Sequence, residues 1–344
     1  MSKTVENRRI EWIDVAKGVG ICLVVIGHIP GMNERIINLI YSFHMPFFFI
    51  LTGILVSRKP VECHFREYFT KQFKKLLCPY YVLSVINILF LATRYQDLIH
   101  VPMRVIEMLS LNGYSALWFI PTLFLAKLSF FVLSGIYKKK KTLGICFSVV
   151  VFLITLLYST WDMSQYFVDR DDLGWILKYV VTIPNTINRS LLGMIFIVIG
   201  VLTEKTWERV VDRKKEISVY VVIIIVAIPA VLASYNNDHR ILFVNGKIEF
   251  IGYFLSVIVS MLVIIVCRTL TRFLKPSIMS FWGKNSMIIL GTHLSMEIVF
   301  WFNNLLNDFI KRGWCKSIGV FVGVMFTETL LILFLRKLLN IYKS

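Results

Sequence analysis

The sequence predicts an all-α polytopic membrane bundle of about ten transmembrane helices, and three observations predict it. The 344 residues are 57% hydrophobic, with a mean hydropathy of +0.70, too apolar for an ordinary soluble chain. The apolar residues gather in runs of about twenty, the length that crosses a hydrocarbon core as a helix. Nowhere do polar and apolar residues alternate over short segments, as a transmembrane barrel requires.

The runs are read in order. The first, 13–32, follows a basic leader (Lys3, Arg8, Arg9) and has no small-residue cleavage site after it. It is therefore expected to be a retained span rather than a signal peptide. The second, 36–57, contains YSFHMPFFFILTGIL, where Pro46 suits an early helical position because its missing N–H costs nothing there. The third and fourth are 74–93 and 115–136, the latter interrupted by Pro121. The fifth, sixth and seventh are 142–160, 186–204 and 216–234, the last interrupted by Pro229. Membrane helices tolerate such prolines when neighbours satisfy the freed carbonyls. The eighth, ninth and tenth are 248–268, 280–303 and 316–338.

Charge sets the expected orientation. Basic residues fill the even-numbered loops: Arg58 to Lys75, the run Lys138-Lys139-Lys140-Lys141, Lys205 to Lys215, and Arg268 to Lys275. Arg336, Lys337 and Lys343 add to them, whereas one odd loop is acidic (Asp162, Asp169, Asp171, Asp172). Both termini are therefore expected in the cytoplasm. The net charge of +17 is accounted for by these loops facing anionic headgroups, so membrane lipids are the expected partner and nucleic acid is not. Of six cysteines only Cys315 approaches the outer face, which rules out an external disulfide within the chain. With no internal repeat or linker, residues 1–344 are read as one membrane domain with no soluble appendage.

Chemistry is then sought in the ionisable residues inside the spans, which are costly there. DVAKGVGICLVVIGH carries Asp14, Lys17 and His28. Lys17 and His28 are eleven residues apart, about three turns, so they share a helix face about 16 Å apart. Asp14 and Lys17 either pair at i, i+3 or mark the inner end of the span by snorkelling. Gly18, Gly20 and Gly27 allow another helix or a ligand to come close. The antiparallel return of the second span brings His44 to the same outer half as His28. His293 lies mid-span with no clustered Cys or Asp, so no metal is expected. Trp118, Asn185, Arg189 and Glu297, one turn after His293, complete the candidates. Each has a bland reading: an aromatic belt for Trp118, snorkelling for Arg189, and an i, i+4 pair for His293 with Glu297.

Taken together, IDVAKGVGICLVVIGH, YSFHMPFFFILTGIL, LWFIPTLF, NRSLLGMIFIVIG and FWGKNSMIILGTHL resemble the acyltransferase-3 family of membrane O-acetyltransferases, in particular its fucose 4-O-acetylase-like branch. The resemblance implies an enzyme of the bacterial plasma membrane that takes acetyl-CoA, or another acyl-CoA, as donor. It moves the acyl group from the cytoplasm to a hydroxyl of a surface polysaccharide or lipid-linked sugar. Lys17 and His28 stand at the family's basic-residue and histidine positions, and Thr52 where Ser is usual. His28 is then the expected base or acyl carrier, assisted by His44, with Asp14 and Lys17 meeting the donor. Trp118, Arg189, His293 and Glu297 are expected to line the acceptor path or pore. Without an appended hydrolase-like domain, the chain acts directly or with a separate extracytoplasmic transferase. The alternative is a transporter or flippase of a lipid-linked glycan precursor, which would show matched broken helices in two repeated halves.

Overall fold

The computed structural model describes residues 10–58, 62–96, 98–160, 183–209, 213–237, 250–310 and 313–341, all of whose regular structure is helical. The acidic loop with Asp162, Asp169, Asp171 and Asp172, and the leader residues Lys3, Arg8 and Arg9, lie outside them. The first two helices are α1 (Glu11–Gly27) and α2 (Glu34–Arg58). Next, α3 (Phe65–Gln72) passes through a π-helical turn, Phe73–Leu77, into α4 (Cys78–Tyr95). A short α5 (Val101–Leu109) and a 3₁₀ turn, Ser115–Trp118, lead to α6 (Phe119–Lys139) and α7 (Lys141–Thr160). Then come α8 (Ile183–Arg209), α9 (Arg213–Asn236) and α10 (Phe250–Phe273). The chain ends with α11 (Ser277–Lys284), α12 (Ser286–Thr292), α13 (Ile298–Asn307) and α14 (Gly313–Ile341).

Among the described residues, seven helices are long and apolar enough to cross a membrane by length and composition. These correspond to seven of the ten runs. The first run forms a helix of 17 residues, and the seventh is a shorter apolar helix over Tyr220–Asn236. The ninth differs from expectation in kind. Instead of one span over 280–303 it is three helices, broken at Asn285 and again after Thr292. The residue types explain both breaks. Asn285 turns its side-chain amide onto the Phe281 carbonyl at 2.6 Å, and Asn, Ser and Thr offer backbone groups alternatives to helical bonding. After Thr292 the chain makes tight turns and Glu297 takes a left-handed conformation, φ 57°, which restarts the helix in a new direction.

The centre of the bundle is α2, which packs against α1, α8, α9 and α10. Phe47, Phe49, Ile50 and Leu51 are wholly buried there. A Cβ on Gly53 would collide with the Ile197 carbonyl of α8, so only glycine lets these helices approach so closely. The same device joins α1 to α11: a Cβ on Gly283 would strike the Asp14 carbonyl oxygen, and one on Gly18 the Met279 carbonyl. Apolar side chains turned outward, such as Val82 and Leu89 on α4 or Val322 and Phe326 on α14, are more than 50% exposed. Leaving them in water would be costly, whereas hydrocarbon accepts them.

The basic end of the bundle is tied by one buried acid. Glu204 on α8 is 1% exposed and accepts Arg58 Nε at 2.6 Å, with Arg268 Nη1 at 3.8 Å. Both guanidinium groups lie over the Trp12 ring, at 5.8 and 5.4 Å. One carboxylate and one indole thus join the ends of α1, α2, α8 and α10.

Candidate functional site

The polar stripe of α1 ends at His28, just past the last helical residue, Gly27. His293 from the broken span faces it. Its Nε2 lies 3.2 Å from His28 Nδ1, and the ring centroids are 5.2 Å apart. Hydrogen positions follow from the outer partner. His293 Nδ1 is 2.7 Å from the Ile289 carbonyl oxygen, which can only accept, so Nδ1 carries the hydrogen. In a neutral ring Nε2 is then bare, and the hydrogen between the two rings belongs to His28 Nδ1. The Val24 carbonyl also hydrogen-bonds to the His28 ring; with the hydrogen on Nδ1, a neutral ring leaves Nε2 bare, and the ring is partly exposed.

His44 is fixed the same way, its Nδ1 donating to the Ile40 carbonyl at 2.8 Å. Tyr41 stands between it and His28: its ring centroid is 4.9 Å from His44 and 6.4 Å from His28. The Tyr41 hydroxyl donates to the Gly27 carbonyl at 3.3 Å. His44 therefore borders His28 through an aromatic ring, while direct contact comes from His293. His44, expected to assist His28, thus borders it without touching it.

Below the histidines is a cavity of about 330 Å³ lined by Lys17, Lys75 and Lys127. Thr52 and Ser286 add hydroxyls, and Phe48 and Phe119 form part of its apolar wall. Its lining includes Val24, Met45 and Leu290, which lie within a helical turn of His28, His44 and His293 respectively. Lys75 belongs to the π-helical turn, where the altered register changes which residues face inward. Asp14, 5% exposed, lies at the glycine crossing with α11, one turn from Lys17.

The remaining candidates occupy other places. Glu297 is not in helical register with His293, because the helix has already ended; its carboxylate accepts the Tyr95 hydroxyl. Glu297 lines a second cavity of about 610 Å³ with Arg94, Tyr95, Trp301 and Asn304, at the far end of α4 from Lys75. Arg189 is 1% exposed, so it does not snorkel. It donates to the Asn112 carbonyl at 2.7 Å and the Asn112 side-chain oxygen at 3.0 Å, and lies 5.5 Å from the Trp118 ring centroid. These contacts hold the turn leading into α6, and neither Arg189 nor Trp118 is among the residues lining the two cavities. Asn185, on the first turn of α8, is partly buried.

Sequence reasoning missed Lys127, Lys75 and Glu328. The signal was present for two of them: Lys127 in LFLAKLSFF and Glu328 in VMFTETLL are lone charges in apolar runs, the criterion that selected Lys17. Among the described residues no three His, Cys, Asp or Glu side chains are grouped to hold a metal ion.

A family model described as an acyltransferase domain, that of the acyltransferase-3 family, matches residues 10–335. No curated protein and no solved structure matches the chain.

Proposed function

The chain belongs to the acyltransferase-3 family of membrane acyltransferases, and on that premise we propose that it carries an acetyl or other short acyl group from cytoplasmic acyl-CoA to a sugar hydroxyl at the opposite face. The observation that carries this reading is the His28–His293 contact beside the end of a cavity lined by three lysines. Acyl-CoA is anionic at its nucleotide end and uncharged along its amide-bearing reactive arm. Lysines at the basic end and an apolar wall beyond suit those two parts in that order. Lys17, one helix turn from Asp14, is the lysine of this cavity that shares α1 with the residues leading to His28.

His28 Nε2 acts in one of two ways, and both need the same lone pair. As base, it takes the proton of the acceptor hydroxyl while that oxygen attacks the thioester carbonyl, then returns it to the CoA thiolate as the C–S bond breaks. As carrier, it attacks the carbonyl itself and releases CoA thiol, then yields the acyl group to the hydroxyl. Either way the ring gains positive character, and His28 Nδ1–H is already directed at His293 Nε2, which stabilises it. His293 thus takes the orienting position familiar from triads. The acceptor enters by the cavity of Glu297, Arg94 and Trp301, where aromatic faces and charged hydrogen-bonding groups suit a carbohydrate. A lipid-linked sugar or a growing polysaccharide supplies it, directly or through a separate extracytoplasmic transferase.

Purified protein given radiolabelled acetyl-CoA separates this reading from a glycan transporter. CoA release or label transfer is expected, and the absence of both supports the transporter. No metal is required by the proposed steps, and chelation is expected to leave the rate unchanged.

A further inference from the structure

Glu328 on α14 is 0% exposed, and its position is explained by nothing so far described. Both its carboxyl oxygens contact the Thr292 hydroxyl, at 2.7 and 2.8 Å. The same hydroxyl lies 2.8 Å from the Ile288 carbonyl oxygen. One hydroxyl hydrogen therefore faces two oxygen groups. The Ile288 carbonyl can only accept, and an ionised carboxylate can only accept. The accounting closes when Glu328 carries a hydrogen and donates it to Thr292 Oγ1, while Thr292 donates onward to Ile288. Among the described residues no cation pairs with Glu328, whereas Glu204 has Arg58 and Arg268, so nothing there compensates a negative charge at this buried position.

Thr292 is the last residue of α12 and immediately precedes His293. The helix is only 7 residues long and breaks there, so its own hydrogen bonds are a weak constraint on the next ring. Neighbouring helices supply the constraint. On one side Asn87 of α4, 1% exposed, donates to the Gly291 carbonyl at 3.2 Å. On the other, α14 braces the first piece of the broken span and its first break: Trp282 Nε1 donates to Thr329 Oγ1 at 2.9 Å, and Arg336 donates to Asn285 Oδ1 at 3.2 Å. Glu328 is the brace nearest the histidines.

We infer that Glu328 is a positioning residue, a hydrogen-bearing carboxyl that holds Thr292 and thereby fixes His293 against His28. This rests on the reading of His28 as the acting base or carrier. Glutamine supplies the same shape, an N–H for Thr292 and no charge. Alanine supplies none of these and leaves a void. A misplacement of this kind costs on the order of 100-fold in turnover when chemistry depends on the geometry.

The test uses full-length protein in proteoliposomes with acetyl-CoA, following CoA release, together with infrared difference spectra. Wild type minus E328Q is expected to show a carboxylic-acid carbonyl band that shifts in heavy water. E328A is expected to lose about 100-fold in kcat with KM for acetyl-CoA unchanged, while E328Q stays near wild type. Should E328A fail to fold, T292V removes the same contact with almost no change in shape and is expected to show the same fall in kcat. A carboxylate band in place of the acid band overturns the inference. So does a folded E328A or T292V with wild-type turnover, and so does an E328Q as inactive as alanine, which would mean proton transfer rather than positioning. The infrared band reports on Glu328 whichever residue performs the transfer, so its failure is distinguishable from failure of the His28 reading.

Discussion

At the scale of the residue, the proposed chemistry rests on the histidine pair. His293 is engaged on both nitrogens, by Ile289 and by His28, which on that proposal makes it the orienting ring and His28 the acting one. H293A is therefore expected to lower kcat by about tenfold to 100-fold while leaving KM for acetyl-CoA nearly unchanged, because orientation is lost and the donor cavity is not. H44A is expected to do less, since His44 meets His28 only across the Tyr41 ring. Lys127 makes the opposite prediction. It lines the lower cavity away from the acting nitrogen, so K127M is expected to raise KM for acetyl-CoA several-fold with kcat nearly intact. An equal fall in kcat would remove Lys127 from the donor site.

At the scale of the element, the site depends on three helices meeting closely. α1 lies along α11 because Gly18 and Gly283 leave backbone against backbone. G283A places a methyl on the Asp14 carbonyl and forces the helices apart, which costs about 3 kcal/mol and is expected as a lower melting temperature in detergent. The buried tie at the basic end makes a second stability prediction. E204A leaves Arg58 and Arg268 without their carboxylate and is expected to destabilise by about 3 kcal/mol, again read by thermal melting. Much at this scale was legible. The apolar runs gave the long helices, and the eleven-residue spacing of Lys17 and His28 put one at the cavity and the other beside its end. The break in the ninth run was not legible as a break. Its apolar residues read as continuous, and the signals that end the helix, Asn285 and the Thr292–Ser295 stretch, are common enough in membrane helices to be passed over. Losing that break meant losing the His28–His293 contact, because a straight helix would have carried His293 and Glu297 on one face. Lys127 and Glu328 were visible as isolated charges, but their partners come from helices far away in sequence, which no spacing rule reaches.

At the scale of the whole molecule, the arrangement is a bundle with two unlike cavities, one lined by lysines and one by Glu297 and Arg94. The lysine cavity lies toward the end where Arg58, Arg268 and Glu204 meet, and the Glu297 cavity lies at the far end of α4. This polarity predicts sidedness. In proteoliposomes of known orientation, acetyl-CoA is expected to be consumed only from the basic face, and raising the salt concentration is expected to raise KM as screening weakens the lysines' attraction for the donor. Consumption from either face would contradict the assignment of the lysine cavity to the donor. The central claim, however, is that His28 Nε2 handles the acyl group, and one comparison tests it most directly. Cells or proteoliposomes carrying wild type or H28A, at equal folded amounts, are assayed for acyl groups on the surface glycan or its lipid-linked precursor. The account predicts loss of at least about 100-fold in H28A; full acylation by H28A would contradict it.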